Sequence, residues 1–375
     1  MACPLWELPT VSQSPPWVDV GVLQCVCSGD ITACYPHCMT LPLPATFLSC
    51  SLGLFLPYSL APANPAETFF ETFRQRCDRI KAVSPDGHRP GWNLESFIVK
   101  ESDDVRQDQL ITQLLAVFLK LSVAEGVNIW LKPYTIVVTG PASGLVESIY
   151  DAVSLHTLKS KAPGFTTLSK YFGDTYGPST SPCYQTAIRN FVQSMAGYSI
   201  ATHLLQVKDR HNGNIMIDLE GHLVHIDFGF ILGHTPGEIC WENAPFKLTA
   251  EMVEVMGGLT GSAYNEYRRL CVDSFMCLRK HYQKIVGFVE LMARDSSLPC
   301  FANNPNACAD LHRRFVPELT TEQARQHVQM LINQVCVLII PLLSLRWMVP
   351  GLQAYSSWRT GQYDTFQRLS NGILP

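Results

Sequence analysis

The sequence predicts an α+β protein with two lobes. Strand patterns concentrate before residue 150, and helical patterns fill most of the chain from Leu248 to Gln334. Loops that contain glycine lie between the two regions. Strands and helices that separate along the chain favour an α+β architecture over a doubly wound sheet, in which they alternate. We therefore expect a first lobe built on a sheet and a second lobe that is mainly helical.

Composition excludes several classes of protein. The 375 residues are 47% hydrophobic and 16% charged, and the formal net charge is −4. This balance excludes a broadly basic nucleic-acid-binding protein, so no nucleic acid is expected as a partner. The 14 cysteines show no spacing typical of a disulfide framework, which predicts a cytoplasmic, reducing environment.

The two ends of the chain differ from its middle. No Lys or Arg precedes Arg74, and residues 1–66 are rich in Pro, Cys and Ser without periodicity. We predict that they form an atypical extension with loop-like structure. Residues 335–356 are apolar, with Arg346 as their single charge, and we predict an atypical insert there. Neither this insert nor the apolar run 45–61 offers the roughly 20 uninterrupted residues that a membrane-spanning helix needs.

The first lobe is predicted from four segments. Trp92 to Lys100 alternates between apolar and polar residues, which indicates a strand. Asp103 and Asp104 are a predicted N-cap for a helix over 105–124, whose apolar residues recur every three or four positions. Residues 129–139 predict two short strands bent at a proline, and 145–149 predict a short extended segment.

The second lobe begins with a long helix and a hairpin. Apolar spacing predicts the helix over 184–206, and a loop follows at 207–214. Two strands, Ile215 to Asp218 and His222 to Asp227, flank a turn that contains glycine. Residues 228–246 predict an irregular loop.

Two of these loops contain the residue types that phosphoryl transfer needs. The first reads Lys-Asp-Arg-His-Asn-Gly-Asn and presents Asp209, His211 and Asn214; the second presents Asp227 before Phe-Gly. The oxygens of Asn214 and Asp227 suit Mg²⁺, and Asp209 or His211 is suited to assist an attacking hydroxyl. An Asp, an Asn five residues later and then Asp-Phe-Gly is the spacing used by kinases.

A cation for nucleotide phosphates completes this pattern. Lys100 ends a predicted strand, and Asp108 lies in the first turns of the next helix. A strand lysine paired with an acidic residue of the following helix holds the α- and β-phosphates of ATP in kinases. A lone Asp-Phe-Gly is common by chance and a lone strand-end lysine is usually solvated. Their occurrence in order, on the expected elements, favours one shared site.

These motifs resemble the phosphatidylinositol 3-/4-kinase superfamily, and within it the type III phosphatidylinositol 4-kinases of the beta type. The signature is Asp-Arg-His-x-x-Asn followed by His-Ile-Asp-Phe-Gly. The resemblance extends over about 67–334 and 358–373 and implies a two-lobed protein-kinase-like fold. It implies a partial N-terminal lobe and hinge at 67–149 and a C-terminal lobe at 150–375. The N-terminal lobe is predicted to be incomplete, because the hairpin that precedes the lysine strand in the family is not found in 1–66.

The resemblance also implies roles for single residues. ATP is the phosphate donor, and Mg²⁺ the metal, with Mn²⁺ as the alternative. Lys100 contacts the ATP phosphates and pairs with Asp108. The hinge that binds adenine consists of Glu147, Ser148 and Ile149. The catalytic-loop groups are Asp209 and His211, and the metal ligands are Asn214 and Asp227. The activation loop that recognises the lipid runs from Phe230 to Lys247.

The charge of the activation loop bears on the lipid substrate. Between Asp227 and Leu248 there is one lysine, and two glutamates oppose it. A head group that already carries extra phosphates needs several Arg or Lys, so the loop predicts unphosphorylated phosphatidylinositol. The 4-position of transfer comes from the resemblance alone. The resemblance further implies a peripheral protein on cytosolic membrane faces, the Golgi among them, recruited by an adaptor or a small GTPase.

Two other functions are weighed beside this one. An incomplete N-terminal lobe is compatible with an inactive or truncated lipid-kinase fragment that acts only as a binding module. A related protein Ser/Thr kinase shares the two motifs, but the ending YDTFQRLSNGILP looks like that of the 4-kinases. The insert at 335–356 is interpreted as a splice or gene-model product, with a membrane-contact segment as the alternative.

Overall fold

The computed structural model describes residues 71–101, 104–235 and 244–337, together with the backbone of 21–28. The predictions for the rest of 1–66, for the Asp103 cap, for residues 236–243 of the activation loop and for 338–375 lie outside these residues.

In the described residues, seven strands form two antiparallel sheets. The first sheet has the order β1-β2-β4-β3 and the second the order β5-β6-β7. The mixture of strands and helices that the sequence predicts is confirmed, while the two-lobed arrangement stays a prediction. The strands are β1 (Gly21–Ser28), β2 (Trp92–Glu101), β3 (Ile136–Gly140), β4 (Ser143–Glu147), β5 (Ala152–Ser154), β6 (Ile215–Asp218) and β7 (Leu223–His225).

Two helices, α1 and α2, alternate with the strands of the first sheet along the sequence, and helices dominate the second half of the described chain. None of the helices in the described ranges is long and apolar enough to cross a bilayer. They are α1 (Phe73–Val83), α2 (Arg106–Ala124), α3 (Leu155–Lys161), α4 (Leu168–Tyr176), α5 (Pro182–Leu205), α6 (Ala250–Val255), α7 (Ser262–Lys280), α8 (Tyr282–Ala293), α9 (Pro299–Ala302), α10 (Ala307–Arg314) and α11 (Thr321–Val337).

The first sheet contains a strand that the sequence analysis does not predict. β1 lies within residues 1–66 and pairs with β2 along its whole length, from Gly21 opposite Val99 to Ser28 opposite Trp92. The expectation that this segment contributes no regular element is therefore wrong at 21–28. β4 occupies the other side of β2, so the strand that ends near Lys100 is central in the sheet.

Helix α2 forms one residue later than predicted. Its N-cap is Val105, which makes no side-chain cap hydrogen bond. The predicted capping residue Asp104 still acts locally, because its Oδ1 accepts the backbone N–H of Arg106 at 3.1 Å. The periodic apolar residues Leu114 and Phe118 are fully buried, as an amphipathic helix requires.

The segment before β3 is not the strand that its composition predicts. The N–H of Trp130 donates to the carbonyl of Gln193 at 3.3 Å, and the N–H of Lys132 donates to Tyr198 Oη at 3.2 Å. Both acceptors belong to α5. Gly197 allows this close approach, since a Cβ there would lie 2.8 Å from the carbonyl oxygen of Trp130. Tertiary contacts with a helix have replaced the hydrogen bonds of a ladder.

Further differences concern the ends of elements in the second half. α4 (Leu168–Tyr176) lies in a stretch for which the sequence analysis predicts no element. α5 begins two residues earlier than predicted, because Ser181 caps it and Pro182 occupies its first turn. α11 continues to Val337, past the predicted start of the insert at 335. A single hydrophobic core joins α2, α5, the second sheet and the helices that follow.

Candidate active site

The β6–β7 hairpin brings together three of the residues that the sequence analysis selects. Ile215 pairs with His225, and the N–H of Ile226 donates to the carbonyl of Asn214 at 3.1 Å. Asn214 Nδ2 then donates to the carbonyl of Asp209 at 3.0 Å. Asp209 and Asn214 therefore lie at the end of the hairpin that leads into Asp227.

Both acidic residues adopt a backbone conformation that is rare for side chains other than glycine. The φ angle is 64° at Asp209 and 61° at Asp227. Aspartate tolerates this left-handed region better than most residues. Two such residues next to each other in space mark a site where strain is held by the surrounding structure.

The donor set fits a divalent metal. Asp227 is exposed, whereas Asn214 is 7% exposed. Because the amide nitrogen of Asn214 is bonded to Asp209, its carbonyl oxygen is the atom left to meet a cation. A carboxylate and an amide oxygen are hard ligands of the kind that Mg²⁺ takes, together with substrate phosphates and water.

The two candidate catalytic groups differ in their hydrogen bonds. His211 Nδ1 accepts the N–H of Gly213 at 3.0 Å, so the ring proton is on Nε2. That Nε2 lies 3.8 Å from Asp209 Oδ1. His211 in this state is a donor through Nε2, and Asp209 is the group with a carboxylate acceptor.

Arg210 is a central residue of the site that the sequence analysis does not select. It is 2% exposed, and its guanidinium donates to four carbonyls. The carbonyl oxygens of Lys208 and Ile226 accept at 2.9 Å and 2.7 Å. The carbonyl oxygen of Asn214 accepts at 3.4 Å, and the carbonyl oxygen of Asp227 accepts from Nη2. Backbone acceptors carry no residue signature, so only its place inside the motif signals this role.

Helix α2 holds the second loop from the opposite side. Asp108 Oδ1 accepts the N–H of Phe228 at 2.7 Å. Gln107 Nε2 donates to the carbonyl of Gly229 at 2.7 Å, and its Oε1 accepts the N–H of Cys300 at 2.8 Å. Gln107 is a second residue that the sequence analysis misses. The predicted pairing of Asp108 with Lys100 stays a prediction.

A buried histidine, His225, ends strand β7 of the hairpin. His225 stacks on Tyr198, with 4.4 Å between the ring centroids. Burial, together with the nearby charge of Arg210, holds the pKa of His225 well below its usual range. Because this imidazole stays neutral, the cationic Arg210 is tolerated close to it.

Comparison with known proteins identifies the family. Residues 95–302, more than half of the chain, match the family model described as phosphatidylinositol 3- and 4-kinase. The chain belongs to the phosphatidylinositol 3- and 4-kinase family. All the loops described above lie inside the matched range.

Curated relatives narrow the resemblance. Phosphatidylinositol 4-kinase beta 1 of Arabidopsis thaliana is 42% identical over 309 residues, which cover 81% of this chain and 26% of that protein. Phosphatidylinositol 4-kinase of Dictyostelium discoideum is 40% identical over 305 residues, covering 81% and 24%. Phosphatidylinositol 4-kinase beta of Rattus norvegicus is 42% identical over 314 residues, covering 84% and 36%. The chain thus spans about a quarter to a third of these relatives. The beta-type names of the Arabidopsis and Rattus proteins agree with the predicted resemblance.

The predicted hinge of this kinase-family chain is tied to its neighbours. The N–H groups of Glu147 and Ser148 donate to the carbonyls of Thr135 and Ser96 at 2.9 Å and 3.2 Å. The Glu147 carboxylate accepts the N–H of Thr135 at 2.7 Å. Within the described part of the chain, no hydrogen bond engages the backbone of Ile149. Ile149 is therefore the predicted hinge residue whose N–H is available to a ligand.

Phe230 and Lys247 are the two ends of the predicted activation loop. The carbonyl of Phe230 accepts the N–H of Lys208 at 2.9 Å, and its ring stacks on His234 at 5.3 Å. Lys247 is 6% exposed. In this conformation its side chain is too buried to contact a lipid head group. Their predicted contact with the lipid stays a prediction.

Proposed function

We propose that the chain is the catalytic domain of a phosphatidylinositol 4-kinase, which transfers the γ-phosphate of ATP to the 4-hydroxyl of phosphatidylinositol. The observation that supports this most is the convergence of Asp209, Asn214 and Asp227 at one end of the β6–β7 hairpin. The match to the kinase family, and relatives named as 4-kinases, support the reaction and its position.

The nucleotide is placed between two lobes in this proposal. Lys100 contacts the phosphates from the central strand β2, and Asp108 supports it from α2. Adenine meets the hinge through the backbone of Ile149, because the N–H groups of Glu147 and Ser148 already have partners.

The metal is placed at Asn214 and Asp227. Bound Mg²⁺, or Mn²⁺, would neutralise the charge that develops on the β- and γ-phosphates during transfer. The left-handed backbone at Asp227 and the bond from Asn214 to Asp209 hold the two ligands in position before the nucleotide arrives.

Asp209 is assigned the proton and His211 the phosphate. The Asp209 carboxylate accepts the proton of the 4-hydroxyl, the hydroxyl oxygen bonds to the γ-phosphorus, and the bond to the β-phosphate oxygen breaks to release ADP. His211 already accepts at Nδ1, so its Nε2–H donates to a phosphate oxygen. This division of roles is our choice between the two alternatives that the sequence leaves open.

The lipid is assigned by charge and the cell location by the family. The loop between Asp227 and Leu248 holds one lysine, which favours a head group without added phosphates. The substrate stays in the bilayer, so the enzyme works as a peripheral protein on cytosolic membrane faces, the Golgi included. An adaptor or a small GTPase is the proposed recruiting partner.

A second candidate is a binding module that holds nucleotide without transfer. One observation favours it: within the described residues, a single strand, β1, precedes β2 where the family has a hairpin. A hairpin that covers the phosphates is needed for chemistry more than for simple binding.

An assay of the full chain separates these functions. Purified chain is mixed with radiolabelled Mg²⁺-ATP and phosphatidylinositol micelles, and the ring position of the product is read by chromatography. Asp227→Asn is the control, since Asn tolerates the left-handed φ. We expect phosphatidylinositol 4-phosphate from the wild type and at least about 100-fold less from the variant, because loss of a metal contact removes several kcal/mol of stabilisation. Nucleotide binding without any lipid product would support the binding module instead.

A further inference from the structure

Arg210 occupies a position from which it controls the spacing of the two metal-binding loops. Two of its acceptors, the carbonyls of Lys208 and Asn214, belong to the loop that carries Asp209. The other two, those of Ile226 and Asp227, belong to the loop that follows β7. One side chain thus bridges the backbones of both loops, at the residues that are to hold the metal.

The chemistry of this bridge is specific to arginine. A buried cation is costly unless its donors are satisfied, and here four carbonyl oxygens accept from the guanidinium. The central carbon of the Arg210 guanidinium, Cζ, also lies 5.4 Å from the centroid of the Phe228 ring, which adds a cation–π contact. The planar fork presents donors in several fixed directions, whereas a lysine ammonium is a compact charge that cannot span the same acceptors.

We infer that Arg210 is a positioning residue that sets the separation of Asn214 and Asp227 and thereby the affinity of the site for metal-bound nucleotide. This inference rests on the proposed function for the identity of the ligand. This role differs from a contribution to general stability, because two of the four bridged carbonyls belong to Asn214 and Asp227, the proposed metal ligands.

The chain offers a matched control in Arg279. Its guanidinium also donates to four carbonyls, those of Phe315 and Val316, each at 3.2 Å, that of Pro317 at 3.3 Å and that of Leu319. These acceptors lie in the loop between α10 and α11, outside the site. Arg279→Lys removes the same kind of bridge from a loop outside the candidate site.

Three measurements on the full chain test the inference. Binding of Mg²⁺-ATP without lipid is measured by calorimetry at several Mg²⁺ concentrations. Hydrogen–deuterium exchange is followed in the metal-free chain over peptides that contain 208–214 and 223–229. The thermal midpoint is recorded for each variant.

For Arg210→Lys we expect nucleotide affinity to fall at least about tenfold, in line with the loss of one or more hydrogen bonds to a charged group. We also expect exchange to quicken in both site loops, and the effect on affinity to shrink as Mg²⁺ is raised. For Arg279→Lys we expect a lower thermal midpoint, faster exchange only near 315–319, and nucleotide affinity within about twofold of wild type.

The inference is overturned if Arg210→Lys leaves nucleotide affinity and its Mg²⁺ dependence as in wild type. It is also overturned if both variants lose affinity in proportion to their loss of thermal stability. Failure of the proposed function looks different, because the wild type itself would then bind Mg²⁺-ATP without forming a lipid product, and the comparison of the two arginines would still decide the role of Arg210.

Discussion

At the scale of single residues, neighbouring backbone groups determine the hydrogen bonds of the two candidate catalytic residues, Asp209 and His211. The proton on His211 is directed to Nε2 by the N–H of Gly213. Asp209 accepts the amide of Asn214 through its backbone carbonyl at 3.0 Å and through its carboxylate Oδ2 at 3.5 Å. The hydrogen bonds around each residue therefore bear on which of the two candidate bases accepts the proton.

This assignment predicts unequal effects for two conservative variants. Asp209→Asn keeps the left-handed backbone but cannot accept the hydroxyl proton, so we expect kcat to fall by about 100-fold or more. His211→Gln retains a donor, so we expect a smaller loss. Steady-state lipid kinase assays give both values, and nucleotide affinity within twofold of wild type is the control for folding. A larger loss in His211→Gln than in Asp209→Asn would assign the base to His211.

Most chemistry-bearing residues of the candidate site could be selected from the sequence, because a short motif fixes their order and spacing. Asp209, Asn214 and Asp227 are found this way and are brought together by the hairpin. Arg210 and Gln107 could not be found, since their partners are backbone atoms whose positions depend on the folded loops. The low exposure of Lys247 also depends on packing and has no local pattern.

At the scale of elements, periodicity predicts the helices well and composition misleads where a segment packs against a helix. The apolar spacing of α2 and α5 fixes both helices to within two residues. Residues 129–135 have the β-branched and aromatic composition of a strand, yet their backbone bonds to α5. β1 is missed for the opposite reason, because it lies in a segment without regular alternation.

The contact between this segment and α5 gives a prediction about stability. A glycine in the middle of a helix is normally improved by alanine, by roughly 0.5–1 kcal/mol. At Gly197 the added Cβ would lie 2.8 Å from the Trp130 carbonyl oxygen and 3.1 Å from Leu131 Cδ2. We expect Gly197→Ala to lower the free energy of unfolding by about 1–3 kcal/mol, the usual effect of overpacking.

Gly287 in α8 is the matched control for this variant. A Cβ there meets no atom within 4 Å, so Gly287→Ala is expected to raise the free energy of unfolding by up to about 1 kcal/mol. Urea unfolding followed by circular dichroism measures both. If Gly197→Ala is as stable as Gly287→Ala, the close packing of α5 against residues 129–131 is contradicted.

At the scale of the whole molecule, buried histidines couple folding to pH. Both ring nitrogens of His203 are buried without a hydrogen-bond partner. Burial lowers the pKa of His203 to about 3 from 6.5, and the charges of Arg314 and His327 act in the same direction. The pKa of His225 is lowered as well. His203 is therefore neutral in the folded chain at pH 5 and above, and His225 is neutral at pH 7.

The sign of the pH effect follows from the protons that each state binds. Below pH 6.5 the unfolded chain protonates these histidines and the folded chain does not, so stability is fully present above pH 6.5 and falls as the pH is lowered. Each histidine contributes a slope of about 1 kcal/mol per pH unit. Carboxylates with lowered pKa values, such as Glu266 and Asp310, change the stability only below about their ordinary pKa values of 4.5 and 3.8. The interval from pH 7 to pH 5 therefore isolates the histidines.

His203→Leu is expected to reduce this dependence, because it removes one of the groups that only the unfolded chain protonates. The free energy of unfolding in urea is compared at pH 7 and pH 5 for the wild type, for His203→Leu and for His88→Gln, whose histidine is exposed. We expect the variant to lose about 1–2 kcal/mol less than wild type over this interval, as one neutral buried histidine predicts, while His88→Gln follows the wild type. Equal losses in all three chains would mean that His203 is hydrated and titrates normally in the folded protein. The core between α5, α7 and α11 would then be open to water, which its buried neighbours Phe275 and Val328 argue against.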